Sequence, residues 1–467
     1  MSVETVDISR NKLTFLSGLR AGYLPRLKTL LLSHNLIDGL HYTDLAGLLS
    51  LEELDLSHNS IRYVQANTFH SLSGLQRLNM RANRLDMIQR DWFQTNWKMR
   101  HLDLSNNSIV LVEGDSLRNL MALRHLDLSY NRLSALDLSM FNGLSDLIYL
   151  NLRANGIVML ESGTFETLSS LRELDLSHNS LSQLTDGSFI GLDSLTHLTL
   201  EHNSIELLNK SVMESVPSLV VLDLSHNSLS RVWSGLFKNM SELREIRLND
   251  NKISKVDDGA FSVSILNNLS KLGWIVLDNN NISGISSGTF AGTPFLRYLG
   301  LSSNSLSSIH TKAFQYCINL ISLDLAGNQL TSVQPSVFRS LTRLRRLNLG
   351  QNRLQQITYG AFSGLGRVTD LFLQDNEISL IDDGALSPLS NLRQLNISKN
   401  RLKWLDMSNI ESIISLQYVD ASNNTIEEVI PSILPMFPHL KLLDLSHNSI
   451  GYMEQAVAES ILPGRWR

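Results

Sequence analysis

The sequence has little cysteine and no long apolar run. Cys317 is the single cysteine among 467 residues, so no disulfide bond can form within the chain. No stretch of about 18 consecutive apolar residues occurs, which is the length that a membrane-spanning helix needs. The sequence therefore predicts neither an internal disulfide nor a membrane span within this chain.

An excess of positive charge and catalytic motifs are also missing. The chain has 40 Lys and Arg against 45 Asp and Glu, so its net charge of -5 leaves no basic footprint for nucleic acid. There is no glycine-rich phosphate loop, paired metal motif or nucleophile elbow. Cys317 falls in a segment expected to be half-buried, which is unfavourable for a catalytic thiol. We expect no enzyme activity, no metal and no cofactor.

What the sequence does have is an internal repeat. Residues 171–181 read L-x-x-L-x-L-x-x-N-x-L, which is the leucine-rich-repeat signature. The asparagine of this pattern recurs every 24 residues at every step but one, and we call these residues the ladder asparagines: Asn11, Asn35, Asn59, Asn83, Asn107, Asn131, Asn155, Asn179, Asn203, Asn227, Asn251, Asn280, Asn304, Asn328, Asn352, Asn376, Asn400, Asn424 and Asn448. The repeats predict an α/β solenoid over residues 1–467, a horseshoe with a concave parallel β-sheet and a convex side of loops and short helices.

Each repeat has a strand half and a return half. Both leucines of L-x-L should face inward, because side chains alternate along a strand. The ladder asparagine follows the strand and can satisfy backbone groups at the turn. Ten residues later comes an aromatic column, which predicts a buried, stacked spine rather than a cofactor site: Phe69, Phe93, Phe141, Phe165, Phe189, Phe237, Phe261, Phe290, Phe314, Phe338 and Phe362.

One repeat is longer than the others, and the chain ends look uncapped. Between Asn251 and Asn280 the step is 29 residues. We expect the five extra residues to protrude as a loop within Ser262–Leu269, while residues 274–277 keep strand register. A partner-binding knob is the alternative interpretation of this loop. Since a solenoid needs capped ends, we also expect the chain to be a fragment of a longer one.

Two polar columns accompany the strand leucines. Aspartate or asparagine stands between the two leucines in most repeats, either to solvate the strand face or to form a negative stripe for a basic partner. Histidine precedes the ladder asparagine at six positions: His34, His58, His178, His202, His226 and His447. A metal site and a pH-sensitive patch are alternatives here, but a common turn sequence is the interpretation that we prefer, because side chains stacked in parallel do not converge on one ion.

The residues that break these columns are the candidates for partner binding. Large aromatic and arginine side chains dominate binding hot spots. They occupy predicted concave positions at Arg77, Tyr149, Arg247, Trp274, Tyr298, Arg346, Phe372 and Tyr418. The zone from Trp274 to Arg346, just after the long repeat, is the first candidate.

Seven triplets match the N-glycosylation pattern N-x-S/T. They begin at Asn106, Asn209, Asn239, Asn268, Asn281, Asn396 and Asn423. A chain so rich in Asn, Ser and Thr contains about this many by composition, so the triplets do not by themselves establish secretion.

The repeats resemble the 24-residue repeats of animal extracellular proteins such as Toll receptors, Slit-like guidance proteins and chaoptin-type adhesion proteins. Residues 171–181 followed by Gly-Ser-Phe-Ile-Gly-Leu at 187–192 carry the resemblance. The long run without cysteine-rich caps is most similar to the chaoptin-like proteins. The resemblance implies a cell-surface or secreted module that binds a protein, homophilic partners included, through the concave face in adhesion or receptor signalling. A cytosolic scaffold or regulatory subunit is the alternative, and an enzyme-linked ectodomain with catalysis outside this segment is a third.

Overall fold

A computed structural model describes residues 3–16, 24–261, 269–405, 413–429 and 437–451. The chain packs as two compact units, Met1–Ser228 and Leu229–Arg467. Each unit is built on a sheet of short parallel strands, one strand per repeat, which we call its main sheet. The predicted fold class, a leucine-rich-repeat parallel-sheet solenoid with very little helix, is confirmed in both units.

Among the described residues, the main sheet of the first unit has ten strands of three residues. Within this unit each strand from the first to the ninth pairs with the strand 24 residues later, as Leu30 does with Leu54. From the second strand on, the central residue is a fully or almost fully buried leucine, because alternation turns it inward. The strands are Thr5–Asp7, Thr29–Leu31, Glu53–Asp55, Arg77–Asn79, His101–Asp103, His125–Asp127, Tyr149–Asn151, Glu173–Asp175, His197–Thr199 and Val221–Asp223.

In the part of the second unit that the structure describes, the main sheet has nine strands. They are Glu245–Arg247, Trp274–Val276, Tyr298–Gly300, Ser322–Asp324, Arg346–Asn348, Asp370–Phe372, Gln394–Asn396, Tyr418–Asp420 and Leu442–Asp444. The 29-residue repeat keeps register, since Trp274 pairs with Glu245 on one side and Tyr298 on the other. Residues 262–268 of the predicted protruding loop lie outside the described residues, and Leu269 is fully buried.

The return halves consist mostly of turns. Within the described ranges they contain a single α-helix, Lys210–Glu214. They also contain five pairs of two-residue parallel strands, which the sequence did not predict: Gly39–Leu40 with Tyr63–Val64, Met87–Ile88 with Leu111–Val112, Arg231–Val232 with Lys255–Val256, Gln356–Ile357 with Leu380–Ile381, and Trp404–Leu405 with Glu428–Val429. None of the described helices is both long and apolar enough to cross a membrane.

The aromatic spine is confirmed. All eleven phenylalanines of the column are essentially fully buried. In the first unit Phe69 stacks on Phe93 with ring centroids 5.7 Å apart, and Phe141 stacks on Phe165 at 5.8 Å. In the second unit an unbroken stack runs from Phe237 to Phe338. The spine therefore fills the core of the return halves, behind the leucines of the main sheets.

The ladder asparagines join neighbouring repeats as well as closing their own turn. The Nδ2 group of Asn227 donates to the Leu200 carbonyl of the preceding repeat at 2.9 Å and to Leu224 and Ser225 of its own. Its Oδ1 accepts from the Ile205 amide at 2.9 Å. One buried amide thus satisfies four backbone groups, which fixes the spacing of consecutive strands.

The residue before each ladder asparagine has a left-handed backbone. The φ angles are 53° at His178, 52° at His202 and 51° at His226. Asparagine, aspartate and histidine tolerate this conformation better than most residues. The histidine column therefore has a backbone cause, which favours the interpretation of Ser-His-Asn as a turn sequence.

Candidate functional site

The solvent-facing side of each main sheet is the candidate site. We call it the strand face and define it by the residues six and four positions before each ladder asparagine, such as Arg77 and Asn79 before Asn83. The backbone at this face is held by ladder hydrogen bonds in every repeat. The side chains are therefore displayed on a surface that exists before any partner binds.

In the first unit, four large side chains form one row across adjacent strands. Arg77, His101, His125 and Tyr149 are consecutive register partners. The His101 and His125 rings stack at 4.6 Å, and Tyr149 lies 5.9 Å from His125. The row borders a groove of about 440 Å³ whose other wall includes Asp103 and Asp127. The sequence reasoning singled out Arg77 and Tyr149 but missed the two histidines between them.

Burial shifts the pKa values of three side chains that line this groove. Desolvation lowers the pKa of His101, and the nearby His125 and Arg77 lower it further. Desolvation also raises the pKa of Asp127, against hydrogen bonds from Ser129. The pKa of the Tyr149 hydroxyl is raised by burial and by Asp127. The lowered pKa favours the neutral form of the His101 imidazole, which lines the groove together with the Tyr149 phenol and the Arg77 guanidinium.

In the second unit, the first candidate zone brings Trp274 and Tyr298 side by side. The two residues are register partners on adjacent strands. The Trp274 side chain is 43% exposed. Tyr298, which the strand pattern predicts to face solvent on the concave side, is instead half-buried, and this burial together with Asp278 and Asp324 raises its pKa to about 12. The two adjacent aromatic side chains therefore differ in exposure, with Trp274 exposed and Tyr298 half-buried.

The remaining candidates have different settings. The Arg346 guanidinium lies 4.8 Å from the ring centroid of Phe372, a cation–π contact within the strand face. Arg247 is exposed and donates to Glu245 Oε1 at 2.6 Å. Tyr418 is 41% exposed and pairs in register with Leu442. The strand face of the second unit therefore has four aromatic or arginine sites among the described residues, at 247, 274–298, 346–372 and 418.

The acidic column serves the turns. Asp175 Oδ1 accepts from the Ser177 amide at 2.8 Å and from its hydroxyl at 2.5 Å. Asn151 plays the same part for the Arg153 amide at 3.0 Å. These bonds recur along both units, so the column has a structural role in closing each strand end. This favours the solvating interpretation over a negative stripe.

One repeat takes its carboxylate from the repeat before it. Gly300 occupies the acidic position, and Asp278 Oδ1 instead accepts from the Ser302 amide at 2.7 Å and hydroxyl at 2.6 Å. A Cβ atom at residue 300 would lie 2.2 Å from Asp278 Oδ2, so glycine is what makes room for this carboxylate. Burial raises the pKa of Asp278.

The stacked histidines form a compact cluster with Glu201. The His178 and His202 rings are 4.2 Å apart, and the His202 and His226 rings are 4.1 Å apart. Ligand atoms of His178, Glu201 and His202 all lie within 4.8 Å of one another. However, Arg153 Nη1 is 4.0 Å from Glu201 Oε2, and a guanidinium beside the cluster opposes a bound cation. That the chain holds no metal remains a prediction.

The other sequence candidates lie away from the strand face, with one exception. Asn209, Asn239 and Asn281 are exposed in return halves, and Asn106 and Asn423 are exposed just before ladder asparagines. Asn396 lies on the strand face, and Asn268 lies outside the described residues. Cys317 is completely buried rather than half-buried, because it faces the core beside Thr293, and burial raises its pKa to about 12.

Family models place this chain in a known class. The model described as leucine rich repeat matches overlapping segments that span residues 2–205 and 217–402, and a second leucine-rich-repeat model matches residues 438–452. The chain therefore belongs to the leucine-rich-repeat family. No curated protein sequence matches it at a significant level.

Several solved structures share its fold. A leucine-rich-repeat protein of Leptospira interrogans is 24% identical with a TM-score of 0.68, over 89% of this chain and 95% of that one. Toll in the Drosophila Toll–Spätzle complex is 21% identical with a TM-score of 0.61, over 96% of this chain and 54% of that one. The mouse RP105/MD-1 complex gives 21% identity and a TM-score of 0.55, over 96% and 91%. At these identities the likeness shows the fold alone.

Proposed function

We propose that this chain is a protein-recognition module, at the cell surface or secreted, which binds a protein partner through the strand face. One observation carries the proposal: Trp274 and Tyr298 lie side by side on adjacent strands of a fixed sheet, with Trp274 substantially exposed. Tryptophan and tyrosine are the residue types most enriched in binding hot spots. A preformed surface also loses little conformational entropy on binding.

The remaining strand-face features support a protein partner. The groove beside Arg77 and Tyr149 and the stacked pair Arg346–Phe372 provide both charge and flat apolar surface. Interface cores are typically enriched in these same residue types. No site among the described strand-face residues combines a nucleophile with a base and an orienting group, which is the arrangement that nucleophilic catalysis requires.

The resemblance to animal extracellular repeat proteins favours adhesion or receptor-type binding, homophilic contacts included. Two of the similar structures, Toll with Spätzle and RP105 with MD-1, are complexes. The glycosylation triplets on the return halves suit a secreted or surface location, although a cytosolic scaffold would share the fold.

The test compares two double variants of the full chain. Trp274→Ala with Tyr298→Ala should weaken binding at least about 30-fold, since truncating a hot-spot aromatic typically costs about 2 kcal/mol or more. Lys238→Ala with Arg339→Ala, both exposed in return halves, is the control. Binding is measured as self-aggregation of beads coated with the chain and as staining of a panel of cells by a tagged soluble form.

Thermal unfolding of both variants checks that Tyr298, which is half-buried, is not needed for folding. If Trp274→Ala with Tyr298→Ala destabilises the chain, Trp274→Ala alone takes its place, because that side chain is exposed. A loss of binding in the control, with binding kept by the strand-face variant, would move the partner to the return halves.

A further inference from the structure

A cluster of arginines lies at the edge of the second unit, outside the strand face. The positions that flank the first leucine of each L-x-x-L-x-L pattern line this edge. Arg297, Arg343, Arg345 and Arg367 occupy such positions in neighbouring repeats and line a groove of about 420 Å³. All four side chains are exposed. We call this feature the arginine groove.

The positive charge of the arginine groove is not neutralised from within. In the four repeats that supply the groove and the one that follows, the flanking positions 295, 297, 319, 321, 343, 345, 367, 369, 391 and 393 contain no Asp or Glu. No ion pair among the described residues involves any of the four arginines. Asp370, the nearest acid in sequence, accepts from the Thr369 hydroxyl at 2.8 Å.

The preceding repeats show how the same edge is neutralised elsewhere. Lys271 Nζ lies 2.6 Å from both carboxylate oxygens of Glu242. Both residues occupy flanking positions at this edge, in adjacent repeats. The whole chain has a net charge of -5. A run of arginines without acidic partners therefore stands out against a mildly acidic background, and mutual repulsion of the guanidinium groups would be relieved by an anionic ligand.

The arrangement of the arginines favours a linear polyanion. Arg297 and Arg345 hold the same position two repeats apart, and Arg393 continues the row after two more. With neighbouring strands about 4.8 Å apart, this row repeats its charge about every 10 Å. Arg343 and Arg367 form a second row beside it. Guanidinium groups bind sulfate and carboxylate oxygens through paired hydrogen bonds.

We propose that the arginine groove binds a sulfated polysaccharide, with its chain laid across the repeats. Phe295, 51% exposed, and Ile321 give the groove an apolar wall suited to the faces of sugar rings. Single-stranded nucleic acid is favoured less, because it binds on successive aromatic stacking platforms and Phe295 is the one aromatic residue that lines the groove. The choice of this ligand rests on the surface or secreted location proposed above, whereas the groove's affinity for anions does not.

The test uses a size-defined heparin oligosaccharide and the full chain at about 0.15 M salt, where distant charges are screened. Arg343→Gln, Arg345→Gln and Arg367→Gln together should weaken binding roughly 30-fold, because three of the guanidinium groups that would pair with the anionic groups of the ligand are removed. The matched control is Lys312→Gln, Arg339→Gln and Arg353→Gln, which removes the same charge from exposed return-half positions of the same unit.

Each other outcome is decisive. Equal loss in both triple variants, or no binding by the unchanged chain, overturns the proposal. So does tighter binding of a single-stranded RNA oligonucleotide through the same arginines, or competition by inorganic sulfate as effective as that by the oligosaccharide. If the groove triple variant does not fold, Arg345→Lys replaces it; this variant should bind several-fold more weakly, and unchanged affinity would refute guanidinium pairing.

The proposal of a protein partner on the strand face and the proposal of a polysaccharide in the arginine groove can be tested separately. Trp274→Ala with Tyr298→Ala should leave heparin binding unchanged, because these residues lie on the strand face and do not line the groove. Loss of heparin binding in that variant would place the polysaccharide on the strand face and overturn the groove assignment.

Discussion

At the scale of single residues, the ladder asparagines connect consecutive repeats through side-chain hydrogen bonds to the backbone. The Nδ2 group of Asn352 donates to Leu325 of the preceding repeat at 2.9 Å, and to Leu349 and Gly350 of its own at 3.1 Å. Its Oδ1 accepts from the Leu330 amide at 3.0 Å. Asn11 is exposed and donates to Ile8 and Ser9 in its own turn. The contribution of a ladder asparagine to stability should therefore depend on its burial and on whether it bonds to a neighbouring repeat.

Asn352→Ala should therefore lower the free energy of unfolding more than Asn11→Ala. Leaving a buried polar group unsatisfied costs about 1–3 kcal/mol, and Asn352 serves several such groups. Substitution of an exposed residue away from special features usually changes stability by less than about 0.5 kcal/mol. Thermal and urea unfolding of the two variants, followed by circular dichroism, measure the difference. Equal effects would show that the inter-repeat bond contributes little.

Asp278 gives a pH prediction with a definite sign. Burial raises its pKa in the folded chain above the ordinary value of 3.8. The folded state therefore binds more protons than the unfolded state between these two values, and stability falls as pH rises through the folded pKa. Asp278→Asn should flatten this fall and raise stability at neutral pH.

An amide can take the place of the Asp278 carboxylate, because Asn396 Oδ1 already accepts from the Ser398 amide at 3.0 Å and hydroxyl at 2.7 Å. The measurement is the unfolding midpoint from pH 3 to 7, with the partly exposed Asp175→Asn as control. A steeper pH dependence in the Asp278→Asn variant would contradict the raised pKa.

At the scale of elements, the aromatic spine is the main core of the return halves. Phe290 stacks between Phe261 at 6.0 Å and Phe314 at 6.3 Å, and all three side chains are essentially buried. Phe290→Ala should destabilise the chain by about 3–5 kcal/mol, as large-to-small core substitutions of phenylalanine do. Phe15→Ala, at a side chain 68% exposed, is the control. Calorimetry of both variants measures the loss of stability, and an equal loss in the two would contradict the prediction.

The sequence predicts those structural features best that recur in many repeats or extend over several residues. The main-sheet strands and the spine recur at a fixed offset from Asn59 or Asn179, so many repeats reinforce one prediction. A two-residue strand such as Met87–Ile88 shows no alternation of its own, and its pairing with Leu111–Val112 depends on packing. The left-handed turn residue was visible as a histidine column, but its backbone cause was not.

The candidate site was predicted less completely, because the exposure and the grouping of its side chains depend on contacts with neighbouring repeats. Trp274 could be found as a large residue that breaks a polar column. The half-burial of Tyr298, and the rise in its pKa that this burial and the charges of Asp278 and Asp324 cause, depend on neighbouring repeats. The arginine groove was not predicted, because Arg343 and Arg367 flank the first apolar residue of their repeats, Leu344 and Val368, at positions that differ from repeat to repeat. Only the stacking of repeats shows that these arginines share one surface.

At the scale of the whole molecule, one repeated unit serves several surfaces. The main sheets present the strand face, the flanking positions present the arginine groove, and the return halves present turns. Each repeat is stabilised mainly by its neighbours, so a surface residue can vary without disturbing the rest. That the two units form one continuous solenoid remains a prediction, as does the protruding loop within Ser262–Leu269.

The placement of glycans should follow these surfaces. Expressed behind a secretory signal in animal cells, the chain should carry glycans at Asn209, Asn239 and Asn281, which are exposed in return halves. Asn396 should stay unmodified, because its Oδ1 is engaged with Ser398 and its strand neighbours Phe372 and Asp420 flank it in register. Glycopeptide mass spectrometry gives the occupancy of each site. A fully occupied Asn396 would put a bulky sugar on the strand face and argue against that face as the partner site. Enzymatic removal of the other glycans should leave partner binding unchanged, since they lie on the return halves.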